Sequence, residues 1–296
     1  MEENRKRHEI INAPYNPVTG LGAVGERKKI SIKDSPIGDM YLPVELIKEN
    51  LFIRRLAKYG FKGYIIRFIK EVEYSEEALN QLWIEFIKYR IIYDFEYWAY
   101  SFIFIKDKVS PKDIPFKLNR AQRRVLNKLE KLRKAGKPIK FILLKARQWG
   151  GSTLVQIYML WIMLVHRRNW NTVICGDVET QSRNVRAMIT KALNKYPSYL
   201  LGETVKFTPF EGSSKNKVIQ NTNCVVSIGS FQKPDTLRSG DISGAHLTEI
   251  GLWRATPGKK PEDLIQSISG SIYDTAYTIL GLESTAKGVG NFFHRT

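Results

Sequence analysis

The chain has 296 residues, of which 43% are apolar and 26% are charged. This balance supports one large domain or two small ones with a sizeable core, and it excludes a disordered tail or a fibrous protein. The net charge of +18 points to an anionic partner, most often nucleic acid and less often an acidic membrane surface; a generally basic soluble protein is the alternative.

No segment of the sequence is typical of a secreted or membrane protein. Two cysteines, Cys175 and Cys224, are too few for a disulfide framework, and both lie in apolar runs that suit a reducing compartment. The N-terminal segment lacks the apolar core of a signal peptide. The longest apolar stretch has about 12 residues, fewer than the roughly 20 that a membrane span needs. We therefore expect a cytoplasmic protein without a membrane partner.

Residues 1–42 are rich in glycine, proline and polar side chains, and we interpret them as an arm or a loosely packed extension. Residues 43–110 form a predicted helical subregion, in which aromatic side chains recur every three or four positions. This spacing favours a helical core stripe, and a platform for stacking bases is the alternative. The aromatic residues are Trp83, Phe86, Tyr89, Tyr93, Tyr97 and Tyr100.

Positive charge is concentrated in the next stretch. Residues 111–148 contain 13 Lys or Arg and two acidic residues, a net charge of +11, whereas residues 71–110 contain four basic and eight acidic residues, a net charge of −4. Within the basic stretch, residues 121–138 have a helical pattern that ends at Gly136 and Pro138. Because the basic stretch leads into a glycine-rich turn, it indicates phosphate binding.

From residue 140 onward, short apolar runs alternate with helical segments, which predicts a doubly wound, mostly parallel sheet of the α/β class. The first run, 140–145, shows no polar alternation and is predicted to be buried on both faces. The helix over 151–167 is apolar nearly all round and is therefore predicted to be buried. The other predicted strands are 171–177, 223–230, 244–250 and 277–284, and a further helix is predicted over 179–196.

The turn between the first strand and the buried helix has the sequence KARQWGGST. A phosphate-binding loop needs this strand–turn–helix context, because the first N–H groups of the helix point at the anion. Compared with the pattern GxxxxGK[ST], Gly150 and Ser152 occupy the expected sixth and eighth positions, whereas Lys145 stands first and Gly151 stands seventh. An ordinary turn with a helix cap is the alternative.

A cation is still required near the β- and γ-phosphates. Lys145 can supply it by reaching back across the turn, and Arg147 offers a second. Ser152 would place its hydroxyl on Mg²⁺.

The run ILLKARQWGGSTLVQ resembles the deviant Walker A segment of large terminase subunits, the ATPase motors that pump DNA into the capsids of tailed bacteriophages and related viruses. Several terminases carry the lysine at the start of the loop, and the pair Arg147–Gln148 is typical of them. The resemblance implies ATP and Mg²⁺ as cofactors and Arg147 as a cis arginine finger. The implied ATP-binding residues are Gln122, Lys145, Ala146, Arg147, Gln148, Trp149, Gly150, Gly151, Ser152 and Thr153.

Two further segments resemble the adenine and Walker B motifs of this family. In IPFKLNRAQRRVL, Gln122 takes the adenine position, where an amide can both donate and accept. In DISGAHLTEIGLWR, the resemblance implies that Glu249 is the acid that activates water and that Thr248 holds the metal-side position, where many terminases have serine. The implied Mg²⁺ ligands are Ser152, Thr248 and Glu249, partly through water. Without the resemblance, we would interpret Gln122 as a glutamine on a helix surface and Glu249 as a carboxylate at the end of a strand.

The segment LGLESTAKGVGNFFH resembles the coupling motif, in which short hydroxyls beside the γ-phosphate sense hydrolysis. Ser284 and Thr285 fill those positions, although a Ser-Thr turn is the alternative reading of the segment alone. Arg238, just before the Walker B strand, is a candidate phosphate or DNA contact.

The resemblance covers residues 95–296 and implies an ASCE-type P-loop NTPase core over 111–296. It implies ATP hydrolysis coupled to translocation of double-stranded DNA into a procapsid in the host cytoplasm. The implied partners are the DNA backbone, the portal protein, the small terminase subunit and other copies of the chain in a ring. Large terminases usually carry an RNase H-like nuclease with clustered acidic ligands; the sequence has no such cluster, so we expect no nuclease activity from this chain.

Two alternatives to a packaging motor stay open. The first is a helicase-like or other P-loop ATPase, although the second helicase lobe and its arginine motifs are absent. The second is a non-catalytic scaffold or DNA-binding module with a degenerate loop. It is supported by the missing lysine at the standard loop position and the missing Walker B aspartate. Nucleotide binding without hydrolysis would favour this second alternative.

Overall fold

The structure, a computed structural model, describes residues 14–69, 74–107, 109–233 and 241–295. The chain folds into two compact units. Unit 1 comprises the chain up to Arg123 together with Pro197–Gly202, and unit 2 comprises Arg124–Tyr196 together with Glu203 onward.

Unit 1 contains the predicted helical subregion. Its helices begin where short polar side chains accept hydrogen bonds from the first free N–H groups: Asn50 accepts from Ile53 and Ser75 accepts from Ala78. The elements are β1 (Arg27–Ser31), β2 (Asp39–Pro43), α1 (Val44–Glu49), α2 (Leu51–Phe68), α3 (Glu76–Tyr93), α4 (Phe95–Phe102), β3 (Phe104–Lys106), β4 (Asp113–Pro115) and the short helix α8 (Ser198–Leu201). Helix α5 (Arg120–Lys134) contains the division between the units.

The aromatic side chains of α3 and α4 pack as a core stripe. Phe86 and Tyr97 are buried, and the rings of Trp83 and Phe86 stack with centroids 4.9 Å apart. The contacts therefore agree with the core interpretation of the aromatic spacing.

Residues 14–42 carry more structure than the predicted arm, and residues 1–13 lie outside the described part of the chain. Strands β1 and β2 pair as an antiparallel hairpin. Met40 and Leu42, two positions apart on β2, share one face of the hairpin and have no exposed surface. The glycine and proline content predicts a loosely packed segment. The structure shows instead that the apolar face of β2 anchors it.

Unit 2 is built around a sheet. Its elements are β5 (Ile139–Lys145), α6 (Gly151–Trp161), a π-helical turn (Ile162–His166), β6 (Thr172–Gly176), α7 (Glu179–Asn194), β7 (Phe207–Phe210), β8 (Ser213–Ile219), β9 (Cys224–Ser230), β10 (Gly244–Thr248), a 3-10 turn (Ile250–Leu252), α9 (Pro261–Gly270), β11 (Ile279–Thr285) and α10 (Phe292–Arg295). In the described residues the seven strands follow the order β5-β11-β10-β6-β9-β8-β7. The first five are parallel, and β8 and β7 extend the sheet antiparallel.

This mostly parallel sheet with its helices confirms the predicted P-loop NTPase fold class. Strand β11 lies between β5 and β10, so the strand before the glycine-rich turn and the Walker B strand are separated by the strand of the coupling motif. The carboxyl ends of these three parallel strands meet at one edge of the sheet, which is where ligands bind in folds of this type.

The prediction that the run 140–145 is buried on both faces was wrong. Ile142 and Leu144 are 53% and 66% exposed, because β5 is an edge strand of the sheet and one of its faces is uncovered in the described part of the chain. Helix α6 is buried as predicted, and so are both cysteines. None of the described helices is long and apolar enough to cross a membrane.

Candidate nucleotide-binding site

The glycine-rich turn connects the end of β5 to the start of α6. Gly150 caps the helix with a φ of 84°, and Gln148 also adopts a positive φ, 61°. A Cβ atom on Gly151 would lie 2.6 Å from the Trp149 ring. A side chain at the seventh loop position would therefore require the Trp149 ring to shift.

The tip of the turn faces solvent. Ala146, Arg147 and Gln148 are exposed, and Arg147 forms no ion pair within the described residues. Gly151, Ser152 and Thr153 open α6, so their N–H groups are among those that a helix leaves without an internal acceptor. The turn thus presents both a cation and helix N–H groups to an anion.

Lys145 points inward, toward two carboxylates, and its side chain is only 7% exposed. Its ammonium donates to Ser152 Oγ at 3.0 Å and to Glu249 Oε1 at 3.0 Å. It also lies 3.5 Å from Glu283 Oε1. The lysine at the start of the loop is therefore held between Ser152 and Glu249, the predicted Walker B glutamate.

Glu249 follows β10 directly and adopts the left-handed conformation, with φ 57° and ψ 38°. This conformation is uncommon for a residue with a side chain, costs on the order of 1–3 kcal/mol, and clusters at functional sites. Its Oε2 accepts from the Thr285 hydroxyl at 3.2 Å and from the Thr285 N–H at 3.4 Å. The strained backbone thus turns the carboxylate back toward β5 and β11.

The two predicted coupling residues make different contacts with the Walker B segment. Thr285 pairs with Lys145 in the strand register and reaches Glu249. Ser284 Oγ accepts from the N–H of Gly251, in the 3-10 turn that follows Glu249, at 2.9 Å. Both hydroxyls therefore contact the segment around Glu249.

Glu283 belongs to the site, although the sequence reasoning missed it. It lies on β11 opposite Thr248 in the register and has no exposed surface. Its Oε1 accepts from the Thr248 hydroxyl at 2.6 Å and from the Ser152 hydroxyl, and lies 3.3 Å from His246 Nε2. Its Oε2 has no hydrogen-bond partner among the described residues.

The ionisation of Glu283 is set by these neighbours. Burial raises the pKa of its carboxyl group, but the neighbouring His246 and Lys145 side chains and the hydrogen bond from Ser152 more than compensate and lower the pKa to about 2. The sequence signal for this residue is a lone acidic side chain in an otherwise apolar strand, because such a side chain is rarely buried without partners.

Gln122 lies near the start of α5, within unit 1. Its side-chain oxygen accepts from the Asn119 N–H at 2.8 Å, and Asn119 accepts from the Gln122 N–H at 2.9 Å. This reciprocal pair is a capping box that starts the helix. The adenine role of Gln122 stays a prediction, and Arg238 lies outside the described residues.

The residues at the edge of the sheet suit Mg²⁺, which prefers hard oxygen ligands and usually binds through one or two carboxylates together with substrate phosphates. Ser152, Glu249 and Glu283 offer such oxygens, and the unpartnered Oε2 of Glu283 is an acceptor that a cation would satisfy. The described residues contain no group of three or more His, Cys, Asp or Glu placed to hold a metal by itself. The donor set therefore fits a metal that arrives with a nucleotide.

Neither a family model nor a curated protein matches this sequence. Among solved structures, the large terminase of bacteriophage HK97 matches 67% of this chain, with a TM-score of 0.50 and 21% sequence identity. The match spans 37% of the HK97 chain, little more than a third of its length. The large terminase ATPase domain of Thermus phage P74-26 matches 55% of this chain at a TM-score of 0.38 and 13% identity, values from which we conclude nothing further. The HK97 likeness confirms the predicted resemblance at the level of the fold.

Proposed function

We propose that this chain hydrolyses ATP as the motor of a phage large terminase and that hydrolysis drives double-stranded DNA into a procapsid. One observation carries the proposal: Lys145, Ser152, Glu249 and Thr285 come together at the carboxyl edge of a parallel sheet, directly beside a glycine-rich helix start. Phosphoryl transfer to water depends mainly on positioning and on charge neutralisation. These side chains are placed to supply both.

The turn and the first N–H groups of α6 bind the phosphates, with Lys145 and Arg147 supplying positive charge. Bound Mg²⁺ would neutralise charge on the phosphate oxygens, with Ser152, Thr248 and Glu249 as its predicted protein contacts, partly through water. Gln122 is the proposed adenine contact.

Glu249 polarises the attacking water. In the structure its carboxylate is engaged by Lys145 at 3.0 Å and by Thr285. A phosphate that attracts the ammonium of Lys145 would therefore free one oxygen of Glu249 to accept a hydrogen bond from water. Nucleotide binding and activation of the base are linked through one lysine.

Ser284 and Thr285 report the state of the phosphate. Thr285 donates a hydrogen bond to Glu249, and Ser284 accepts one from the turn that follows Glu249. A change at the γ-phosphate could therefore move that turn through either contact. Such local contacts are the usual origin of nucleotide-dependent switching.

The proposed partners follow from charge and from the terminase fold. The basic stretch 111–148 would contact the DNA backbone, which gives affinity that falls steeply with salt and depends little on sequence. The portal protein, a small terminase subunit and further copies of the chain in a ring complete the proposed assembly in the host cytoplasm.

The test is phosphate release from ATP, with and without double-stranded DNA, by the native chain and by Lys145→Ala and Glu249→Gln. We expect Mg²⁺-dependent turnover that falls in both variants, by about 100- to 10,000-fold for the loss of the base. Glu262→Gln, on the surface of α9, is the matched control that should keep full turnover.

A second function is favoured by the Lys145–Glu249 ion pair, which occupies one carboxylate oxygen of the proposed base. If the chain binds nucleotide but releases no phosphate, even with DNA and portal present, it is a scaffold with a degenerate loop. Unchanged turnover in Glu249→Gln would overturn the catalytic assignment.

A further inference from the structure

The carboxylate of Glu283 has no place in the motif-based account of the site. Walker B strands end in two acidic residues, one for the metal and one for water, and here the metal-side position is Thr248. In the strand register, the residue directly opposite Thr248 is Glu283. The Thr248 hydroxyl donates to Glu283 at 2.6 Å, so the neutral residue on β10 is joined to an acidic one on the neighbouring strand.

Glu283 also contacts the loop residue that binds Mg²⁺ in P-loop proteins. The Ser152 hydroxyl donates to the same Oε1 atom of Glu283. One carboxylate oxygen is therefore shared by the metal-side positions of the loop and of the Walker B strand.

The ammonium of Lys145 shows that a cation is accommodated here. It lies 3.0 Å from Ser152 Oγ, 3.0 Å from Glu249 Oε1 and 3.5 Å from Glu283 Oε1. These three oxygens come from α6, from the end of β10 and from β11. A group of carboxylate and hydroxyl oxygens of this kind favours a positive charge between them.

The second oxygen of Glu283 has no partner within the described residues, and the side chain is completely buried. An unsatisfied buried acceptor is destabilising, and more so when it is charged. A bound metal or its water would satisfy the second oxygen.

We propose that Glu283 is the metal-side acid of this site: the carboxylate missing from the end of β10 is supplied by the facing position of β11, and it holds Mg²⁺ of the bound Mg²⁺–nucleotide together with Ser152. The proposal rests on the proposed function in that it requires nucleotide at the loop. It assigns to Glu283 a role distinct from that of Glu249, which acts on water.

The experiment measures ATP binding by titration calorimetry at increasing Mg²⁺ and in EDTA, which requires no turnover. Mg²⁺ should increase the affinity for ATP, and in Glu283→Gln the Mg²⁺ concentration that gives half of this increase should be about 10- to 100-fold higher. This is the range expected when a residue that tunes a metal site is lost. The affinity in EDTA should stay unchanged or increase, because a negative charge near the phosphates is removed. Glu262→Gln should match the native protein throughout.

Moving the acid back provides the stricter test. In Thr248→Asp/Glu283→Gln, the carboxylate returns to the end of β10, and the Mg²⁺ requirement should return toward the native value. A purely structural Glu283 would not be rescued in this way. If Glu283→Gln does not fold, Glu283→Asp replaces it, because this variant keeps the charge and withdraws the carboxylate by one methylene, and the same rise is expected.

The outcomes separate the two proposals. If the native chain binds no ATP under any condition, the proposed function fails. If the native chain binds ATP in a Mg²⁺-dependent way and Glu283→Gln has the same Mg²⁺ requirement, the proposed function stands and the role of Glu283 is overturned.

Discussion

Each unit of this molecule contains a buried cluster of charged side chains, and the two clusters differ in the cations they use. In unit 1, Asp94 accepts two hydrogen bonds from Arg27, at 2.9 and 3.0 Å, and one from Arg90 at 3.1 Å. In unit 2, Glu283 faces Lys145 and His246. Burial alone would raise the pKa of each carboxyl group, but the neighbouring side chains lower both to about 2.

A low carboxyl pKa therefore does not distinguish a structural cluster from a functional one. Arginine is permanently charged and binds carboxylates in a fixed fork, so the contacts around Asp94 are closed. Lysine is a mobile point charge, and Lys145 has three oxygen partners, any of which a phosphate could replace. The unit 2 cluster also includes a glutamate with a strained backbone. Exchangeable partners, more than burial or charge, identify the functional cluster.

The largest expected effect is the loss of stability in Asp94→Asn. The substitution removes the charge that balances two buried guanidinium groups, while the asparagine can still cap α4, whose Tyr97 N–H donates to residue 94. Breaking a buried pair in this way costs about 3–5 kcal/mol. Urea denaturation should show this decrease in the free energy of unfolding, and ATP affinity of the folded protein should not change.

The matched control is Asp39→Asn, which removes the exposed ion pair with Lys29 in the same unit. This variant should unfold at nearly the native urea concentration, because exposed pairs are screened by solvent. Equal losses from the buried and the exposed pair would mean that the unit 1 cluster does not stabilise the fold.

The second prediction concerns pH and a group found only in the unit 1 cluster. Burial raises the pKa of Glu96 to about 7 from an ordinary 4.5, although the charge of Arg27 and the N–H of Val24 oppose the change. The folded protein thus holds this proton more tightly than the unfolded chain. The associated stabilisation is fully present below pH 4.5 and is lost as the pH rises through 7. At about 1.4 kcal/mol for each pH unit between the two pKa values, the loss is about 3 kcal/mol.

Free energies of unfolding measured from pH 4.5 to 8 should therefore decrease in the native protein and decrease less in Glu96→Gln. The control is Glu283→Gln in unit 2. Because the pKa of Glu283 is lowered, its contribution is present above about pH 4.5 and is lost only as the pH falls toward 2. Its substitution should leave the slope between pH 5 and 8 unchanged, and a changed slope would contradict the assignment of this window to Glu96.

The sequence sufficed to predict the parts of the site that depend on local order. A strand, a glycine-rich turn and a helix place Lys145 and Ser152 together, and parallel strands bring their carboxyl ends to one edge, which gathers Glu249 and Thr285. The structure links these four residues in one chain of hydrogen bonds, from Ser152 through Lys145 and Glu249 to Thr285. Where function depends on consecutive residues and on parallel strand direction, the sequence is informative.

The parts that the sequence did not predict depend on pairing between distant strands. Glu283 becomes significant only because it lies opposite Thr248 in the register, and neither residue indicates this by itself. The exposure of Leu144 likewise depends on β5 being the edge strand among the described residues. Gly151 is a different case: a side chain there would require the neighbouring Trp149 ring to shift, a packing detail that the pattern GxxxxGK[ST] does not contain.

The smallest expected effect tests the exchangeable partners directly. A ligand that binds only the folded protein stabilises it by about 2.7 kcal/mol when its free concentration is 100 times its Kd. Mg²⁺–ATP should add this increment to the native protein and, since the unit 1 cluster takes no part in binding, also to Asp94→Asn, whose stability without ligand is much lower. Lys145→Ala should lose most of the increment at the same ATP concentration, because the phosphates then lack the lysine. The measurement is urea denaturation of the three proteins with and without Mg²⁺–ATP. Loss of the increment in Asp94→Asn, or its retention in Lys145→Ala, would show that the unit 2 cluster does not exchange its partners for nucleotide.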